Sequence, residues 1–428
     1  MAKSDDTDQS SITSQLTEAQ QIDWLQLYRT PRVGANTLQQ LVNTYGSAAE
    51  ALSAIDQGAR FGGRAIELIP REAAHAELSA ARDAGALFVT PGDAGYPPWL
   101  VHAHDRPPFL FALGDALLAT RPIVAIVGSR DASAAGRSIA NRIARELGEA
   151  GWVVASGLAR GIDAAAHEAS LKTGTIAVVA GGLGTVYPPE HDGLQQAIGA
   201  RGLVLSEMPL THAPRARDFP RRNRIVSGVA AGVIVIEAAR RSGTLVTARL
   251  AGEQGREVFA VPGHPLDPRA EGTNALLQQG ATLVTSARDV IEALTPVLEV
   301  GPERASMAAH LAGRGMRDAG VGDVLVPPEE IGADDSDGSE PARPTPSGLS
   351  TASQPTSATT SADPGVARQT VRSLLGTGPV DVDTLCRASG LATPAVRSAL
   401  IELALDGVID RHGDQQVSLR PEAPYDVG

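Results

Sequence analysis

Cysteine occurs once in this chain, at Cys386. An intramolecular disulfide is excluded, and a reducing compartment is expected. Lysine is nearly missing: Lys3 and Lys172 are its two positions, and the rest of the 37 basic residues are arginine. A compositional bias that also favours Ala, Gly and Pro accounts for this preference. Its physical consequence holds regardless, because each basic contact is then a guanidinium able to grip phosphate in a bidentate way. Aromatic residues make up 3% of the chain, so the core is built mostly from Ala, Val, Leu and Ile. No apolar run is long enough to span a bilayer. The N-terminal MAKSDDTDQSS is polar and acidic, unlike a secretory signal. A soluble cytoplasmic protein is expected.

Familiar cofactor and metal signatures are also missing. No GxxxxGK[ST] occurs, so P-loop chemistry is unsupported. Gly182-Leu183-Gly184 runs into Tyr187-Pro188-Pro189 and not into a third glycine opening a helix, which argues against a dinucleotide site. His167 in HEASL lacks the second histidine of a zinc motif. The HAHD segment, His102 to Asp105, has proline-rich neighbours that place it in a surface loop. No cofactor and no metal are expected. Asp163 and His167 stand one helical turn apart and read as a structural pair.

What the chain does have is RARDFPRRNRIVSG, Arg215 to Gly228. Arg215, Arg217, Arg221, Arg222 and Arg224 face one acid, Asp218, in a protein of formal net charge −12. Like charges repel, so such a cluster persists where a polyanion or a set of carboxylates faces it. Phe219 lies inside it. Guanidinium groups for phosphates and a ring face for bases are what a single-stranded nucleic acid needs.

Composition and periodicity divide the chain. Residues 1–15 read as disordered. Residues 16–85 read as a helical domain of the SAM or helix-hairpin-helix type, with a turn at Gly34 before Leu38, Leu41, Val42 and Tyr45. Residues 86–300 alternate helical stretches with seven apolar strands (122–127, 152–156, 175–180, 203–207, 233–238, 257–263 and 281–285). Continuous apolar runs mean strands buried on both faces, hence a doubly wound, mostly parallel Rossmann-like α/β sheet. Residues 301–365 are acidic, then rich in Pro, Ser and Thr, and read as a flexible linker. Residues 366–422 give three helices and a β-hairpin, the order of a winged helix, with Thr393 as N-cap and Pro394 at the first helical position. Its third helix carries Arg397 with Glu402 nearby, so a protein contact is a stronger expectation than base reading.

Five glycine-bearing loops follow the strands: Gly128-Ser129-Arg130, Ser156-Gly157 to Arg160-Gly161, Gly181-Gly182 to Gly184, Arg240-Arg241 to Gly243-Thr244, and Gly263. Tight turns need glycine anyway. Five such loops on one edge, with Arg130 and Arg160 among them, still point to a phosphate-binding edge. The candidate DNA-binding residues are Gly128, Ser129, Arg130, Ser156, Gly157, Arg160, Gly182, Phe219, Arg221, Arg222, Asn223, Arg224, Gly243 and Thr244. Phe219 is equally free to stack on a base or to anchor the loop it sits in.

The segments VAIVGSRDASAAG, SGLARGIDAAAHEASL, GGLGTVYPPEH, LSEMP, FPRRNRIVSG, VIVIEAARRSGTLVTARLA and REVFAVPG resemble, in order, the motif series of the DNA-processing DprA (Smf) family. The resemblance covers roughly residues 88–297. It departs at His191, where Asn often stands, at Thr273, where Cys is common, and at Ala134-Ala135, which replace an aromatic. It implies a protein that is not an enzyme, binds single-stranded DNA, forms a homodimer through the α/β domain, and helps load RecA recombinase in natural transformation. It also implies a DNA site at Arg130 and at Arg221, Arg222 and Arg224. An alternative is a nucleotide-hydrolysing enzyme of the lysine-decarboxylase-like phosphoribohydrolase type. Gly243-Thr244 would match its GT, but Thr247 stands where a carboxylate is needed. A third reading is a protein scaffold whose end domains do the binding.

Overall fold

The computed structural model describes residues 16–61, 64–302, 364–376, 378–406, 408–412 and 416–420. The stretch expected to be disordered, and nearly all of the expected linker, lie outside the described residues.

Helix α1 (Glu18–Arg29) begins with a capping box, in which Thr17 and Gln20 satisfy each other's backbone N–H groups. It is followed by α2 (Ala35–Tyr45), α3 (Ala48–Asp56), the short antiparallel pair β1 (Arg60–Phe61) and β2 (Arg64–Ala65), and α4 (Arg71–Asp83). Leu25, Leu27, Leu38, Leu41 and Leu78 close the core of this helical domain. That core is continuous with the sheet. Tyr28 meets Phe109 edge-on with ring centroids 5.3 Å apart, and Phe109 stacks on Phe88 at 4.6 Å.

Two strands outside the expected seven lie here: β3 (Leu87–Val89) and, after the short α5 (Pro98–Val101), β4 (Leu110–Gly114). β3 has three residues, and Phe88, Phe109 and Phe111 carry the packing of both, so neither has the aliphatic run that marks the others. The main sheet continues with β5 (Ile123–Gly128), α6 (Ala134–Glu149), β6 (Val153–Ser156), α7 (Ile162–Ser170), β7 (Thr175–Val178), α8 (Asp192–Arg201), β8 (Leu203–Ser206), α9 (Asp218–Gly228), β9 (Gly232–Ile236), α10 (Gly243–Glu253), β10 (Glu257–Ala260), α11 (Glu271–Gln278), β11 (Thr282–Leu283) and α12 (Ala287–Val300).

The nine strands run in the order β11-β10-β9-β5-β6-β7-β8-β4-β3. β5 to β11 are parallel, while β4 and β3 add antiparallel at one edge. The chain moves outward from β5 through β8, then returns to β9 on the other side of β5. Alternate residues of one strand serve opposite faces. Ala125 and Val127 pack with Val226 and Ala251, on the face covered by α9 and α10. Val124 and Ile126 pack with Ile143 and Ile162, on the face covered by α6 and α7. The sheet is therefore the doubly wound, mostly parallel architecture expected.

The C-terminal domain comprises α13 (Pro364–Leu374), β12 (Val380–Asp381), α14 (Val382–Ser389), α15 (Thr393–Leu405), β13 (Ile409–His412) and β14 (Gln416–Leu419), a winged helix with strand order β12-β14-β13. The cap of α15 falls one residue earlier than expected. Ala392 is the N-cap, no side chain caps the helix, and Pro394 sits at the second position, where a missing N–H costs equally little. This domain rests on α6. Ala134 joins its core, the Arg137 guanidinium donates to Ala388 O, and Arg269 donates to Ser373 O (3.1 Å) and Leu375 O.

Candidate nucleic-acid interface

The Arg215–Gly228 segment is a loop only as far as Arg217; α9 begins at Asp218. The Asp218 carboxylate accepts the Arg215 N–H at 2.8 Å and stands 2.8 Å from His212 Nε2. Acid at a helix start is favourable, and Pro220 is tolerated in a first turn. The expectation of a basic loop is thus corrected. A helical period sends neighbouring arginines to different sides.

Arg222 points inward. It is 7% exposed and donates through Nη1 to Val178 O at 3.0 Å, while its Nε has no partner among the described residues. Burial lowers its pKa to about 10, opposed by the nearby Asp163 carboxylate. Gly157 is required for this approach, since a Cβ there would lie 1.6 Å from Arg222 Nη1. Asp163 accepts the Gly157 and Ala159 N–H groups at 3.2 Å each, holding Leu158 between them at φ +57°. Asp163 therefore binds the loop after β6, and His167 turns elsewhere. Nδ1 of His167 lies 2.7 Å from Thr175 Oγ1, whose own hydroxyl donates to Val154 O. The expected Asp163–His167 pair does not form. Burial lowers the His167 pKa to about 3, so the ring is neutral at physiological pH.

Arg224 and Arg221 also meet a partner. Both converge on Glu207, which follows β8 and is buried. Arg224 Nη2 donates to its two oxygens at 2.6 and 2.7 Å, and Arg221 Nε donates at 3.1 Å. Arg221 Nη2 lies 2.6 Å from Tyr28 Oη, and that hydroxyl donates to Glu207. Burial would raise the Glu207 pKa, but the two guanidinium groups hold it below the usual carboxylate range. Arg29 Nη2 reaches Glu207 O at 2.9 Å while its guanidinium pairs with Glu77. The first helix is thereby tied to the strand edge.

A cleft opens beside this cluster, over the ends of β6 and β7. Its walls include Gly157 to Arg160, Val179 to Gly181, Tyr187, Arg130, Phe219 and Arg222. The Arg130 guanidinium lies 5.4 Å from the Phe219 ring centroid, and Tyr187 meets the same ring edge-on at 5.3 Å. Phe219 is half-buried and Tyr187 exposed. Arg130, Arg215 and Arg217 are exposed and form no ion pair among the described residues. Arg160 is exposed but paired with Glu190. Tyr187, Arg215 and Arg217 were outside the candidate set. Tyr187 had a legible signal, an aromatic before two prolines in a glycine-rich loop.

The other candidates sit behind or beside this cleft. Gly128 is pressed against Ile236 O and Ile162, and its carbonyl accepts the Thr244 hydroxyl at 3.0 Å. Ser129 N–H donates to Glu237 O, and Ser156 Oγ donates to Ile126 O. Gly182 fits against Pro209 O and Leu210 O, and Gly243 opens α10. Asn223 is half-buried, and its carbonyl accepts the Ser227 hydroxyl. At the start of α6, the Glu237 carboxylate accepts the Ser133 N–H at 2.8 Å and the Ser133 hydroxyl. A helix start beside β5 is where a dinucleotide fold places its pyrophosphate; here the chain fills it with its own acid. Among the described residues, no cluster could hold a metal ion and no helix is long and apolar enough to cross a membrane.

Fold and site together define a doubly wound α/β protein whose strand ends present an arginine-edged cleft, flanked by a helical and a winged-helix domain. A family model described as DNA recombination-mediator protein A matches residues 87–295. Models for a DprA-like N-terminal HHH domain and a DprA winged helix domain match residues 18–80 and 354–415. The DNA processing protein DprA of Bacillus subtilis is 44% identical over 220 residues, covering 51% of this chain and 74% of that protein. The Streptococcus pneumoniae DprA is 47% identical over 197 residues, 45% of this chain and 70% of that one. The crystal structure of DprA from Streptococcus pneumoniae superposes with a TM-score of 0.51 at 36% identity, covering 63% of this chain and 92% of that chain. The chain belongs to the DprA family of DNA processing proteins.

Proposed function

We propose that this protein binds single-stranded DNA across the cleft over β6 and β7. The observation that carries the reading is the Arg130–Phe219–Tyr187 group beside the unpaired Arg215 and Arg217. Cations and ring faces alternate there, as a phosphate and base track requires. In this reading Arg130, Arg160, Arg215 and Arg217 meet phosphates. Arg221 contributes its exposed side. Arg222 and Arg224 act from behind, as buried charges that shape the site and raise its potential. Little sequence preference is expected, because phosphate contacts carry no base information.

Family membership supports the wider role. The bound strand is protected and handed to a RecA-type recombinase during natural transformation, in the cytoplasm, by a homodimer that is not an enzyme. The phosphoribohydrolase alternative finds less support. Thr247 is buried in α10 at the position where glycosidic cleavage would need an exposed carboxylate.

The test is binding of a labelled oligothymidylate by Arg130→Ala/Arg215→Ala/Arg217→Ala. Three lost phosphate contacts should flatten the slope of log affinity against log salt by about 2, at roughly 0.7 each. Unchanged affinity and slope would sink the proposal.

A further inference from the structure

Arg160 and its partner carry an inference that rests on the reading above and deepens it. Arg160 lies on the loop between β6 and α7 and lines the cleft. Its guanidinium donates through Nε to Glu190. Both side chains are largely open to solvent, 60% for Arg160 and 46% for Glu190. Glu190 lies in the 3₁₀ turn Pro189–His191, directly after Tyr187 and Pro188, which line the same cleft.

The loop does not need Glu190 for its shape. Asp163 grips the N–H groups on either side of Leu158, and His191 Nδ1 donates to Leu158 O at 2.9 Å. The Glu190 contact on this loop is with the guanidinium. An exposed ion pair of this kind is weak and screened by salt. A phosphodiester offers the same fork of oxygens to the same arginine.

We propose that Glu190 is a displaceable counter-ion of the DNA site: it occupies Arg160 in the free protein and yields it to a phosphate when a strand binds. The carboxylate stands in for the phosphate, holds the guanidinium at the rim, and makes the protein bind less tightly than its arginines allow. The exchange also alters the salt response. A phosphate that binds a free arginine releases a condensed counter-ion. When it must first displace Glu190, salt weakens the pair that has to be broken, which offsets part of the salt dependence that the Arg160 contact would otherwise add.

The experiment measures anisotropy of a fluorescein-labelled oligothymidylate with the full chain and with Glu190→Gln, Arg160→Ala and the double variant. The salt series runs from about 50 to 200 mM NaCl. Glu190→Gln should bind about twofold to fivefold tighter at the low-salt end, the factor an exposed pair represents. Its salt slope should steepen, by at most the roughly 0.7 of one single-strand phosphate. In the Arg160→Ala background that steepening should vanish. Wild-type affinity and slope in Glu190→Gln would overturn the proposal. So would steepening that persists without Arg160, since the carboxylate would then act as general negative charge. Absence of binding by the wild-type chain would overturn the single-strand reading itself, which separates the two failures.

Discussion

Replacing Glu207 by Gln tests the buried cluster that joins the first helix to the strand edge. The amide keeps the size of the side chain and removes the negative charge facing Arg221, Arg224 and the Tyr28 hydroxyl. Breaking a buried pair from one side costs about 3–5 kcal/mol, because the remaining charge has lost its compensation. Arg224 is 11% exposed and bears that cost, whereas Arg221, at 42%, can turn to solvent. The lower end, about 3 kcal/mol, is the expected loss. For an α/β domain of this size that lowers Tm by about 6–12 °C. The loss should also depend on pH. The folded pKa of Glu207 lies below its unfolded value, so its contribution is present above about pH 4.3 and disappears as pH falls through the folded value. Thermal unfolding followed by circular dichroism should show the full difference between wild type and Glu207→Gln at neutral pH, shrinking in acid. A loss under about 1 kcal/mol at neutral pH, or a gap that stays constant into acid, would refute the reasoning.

Gly157→Ala should push Arg222 off Val178 O, because the added Cβ would lie 1.6 Å from Nη1. Overpacking of this kind costs about 1–3 kcal/mol, and an unchanged Tm would contradict the stated need for glycine there. His167, lowered to about 3 by burial, should show no imidazole titration by NMR between about pH 5 and 8. Because its unfolded pKa is about 6.5, stability should fall as pH drops below that value; a titration midpoint near 6.5 would refute the neutral assignment. Arg269→Ala removes the donors to Ser373 O and Leu375 O at the end of α13. It should loosen the winged helix on the α/β domain, seen as a larger radius of gyration by small-angle scattering; an unchanged radius would contradict a role for Arg269 in docking.

Much of the fold was legible because a buried parallel strand leaves a plain mark. IVAIV, VVAS, TIAV and GVIVI have no polar side because neither face of the sheet meets water. β3 and β4 lacked that mark. β3 has three residues, and aromatic packing against the first helix carries both strands. The basic run was legible as composition but misplaced as structure. It reads as a loop, yet a helix begins at Asp218, whose carboxylate holds the preceding turn through the Arg215 N–H.

The sequence by itself determined which residues bear charge, which strands are buried and which family the motifs resemble, since these follow from local order along the chain. Only the tertiary structure decided where each arginine points. Arg221, Arg222 and Arg224 fan out within one helical turn, and folding brings Glu207, Asp163 and Val178 O up to meet them. Guanidinium groups equivalent in the sequence thus divide into buried struts and exposed contacts, because low dielectric demands a partner for every buried charge. Arg130, Arg215 and Arg217 have no such partners among the described residues and stay exposed.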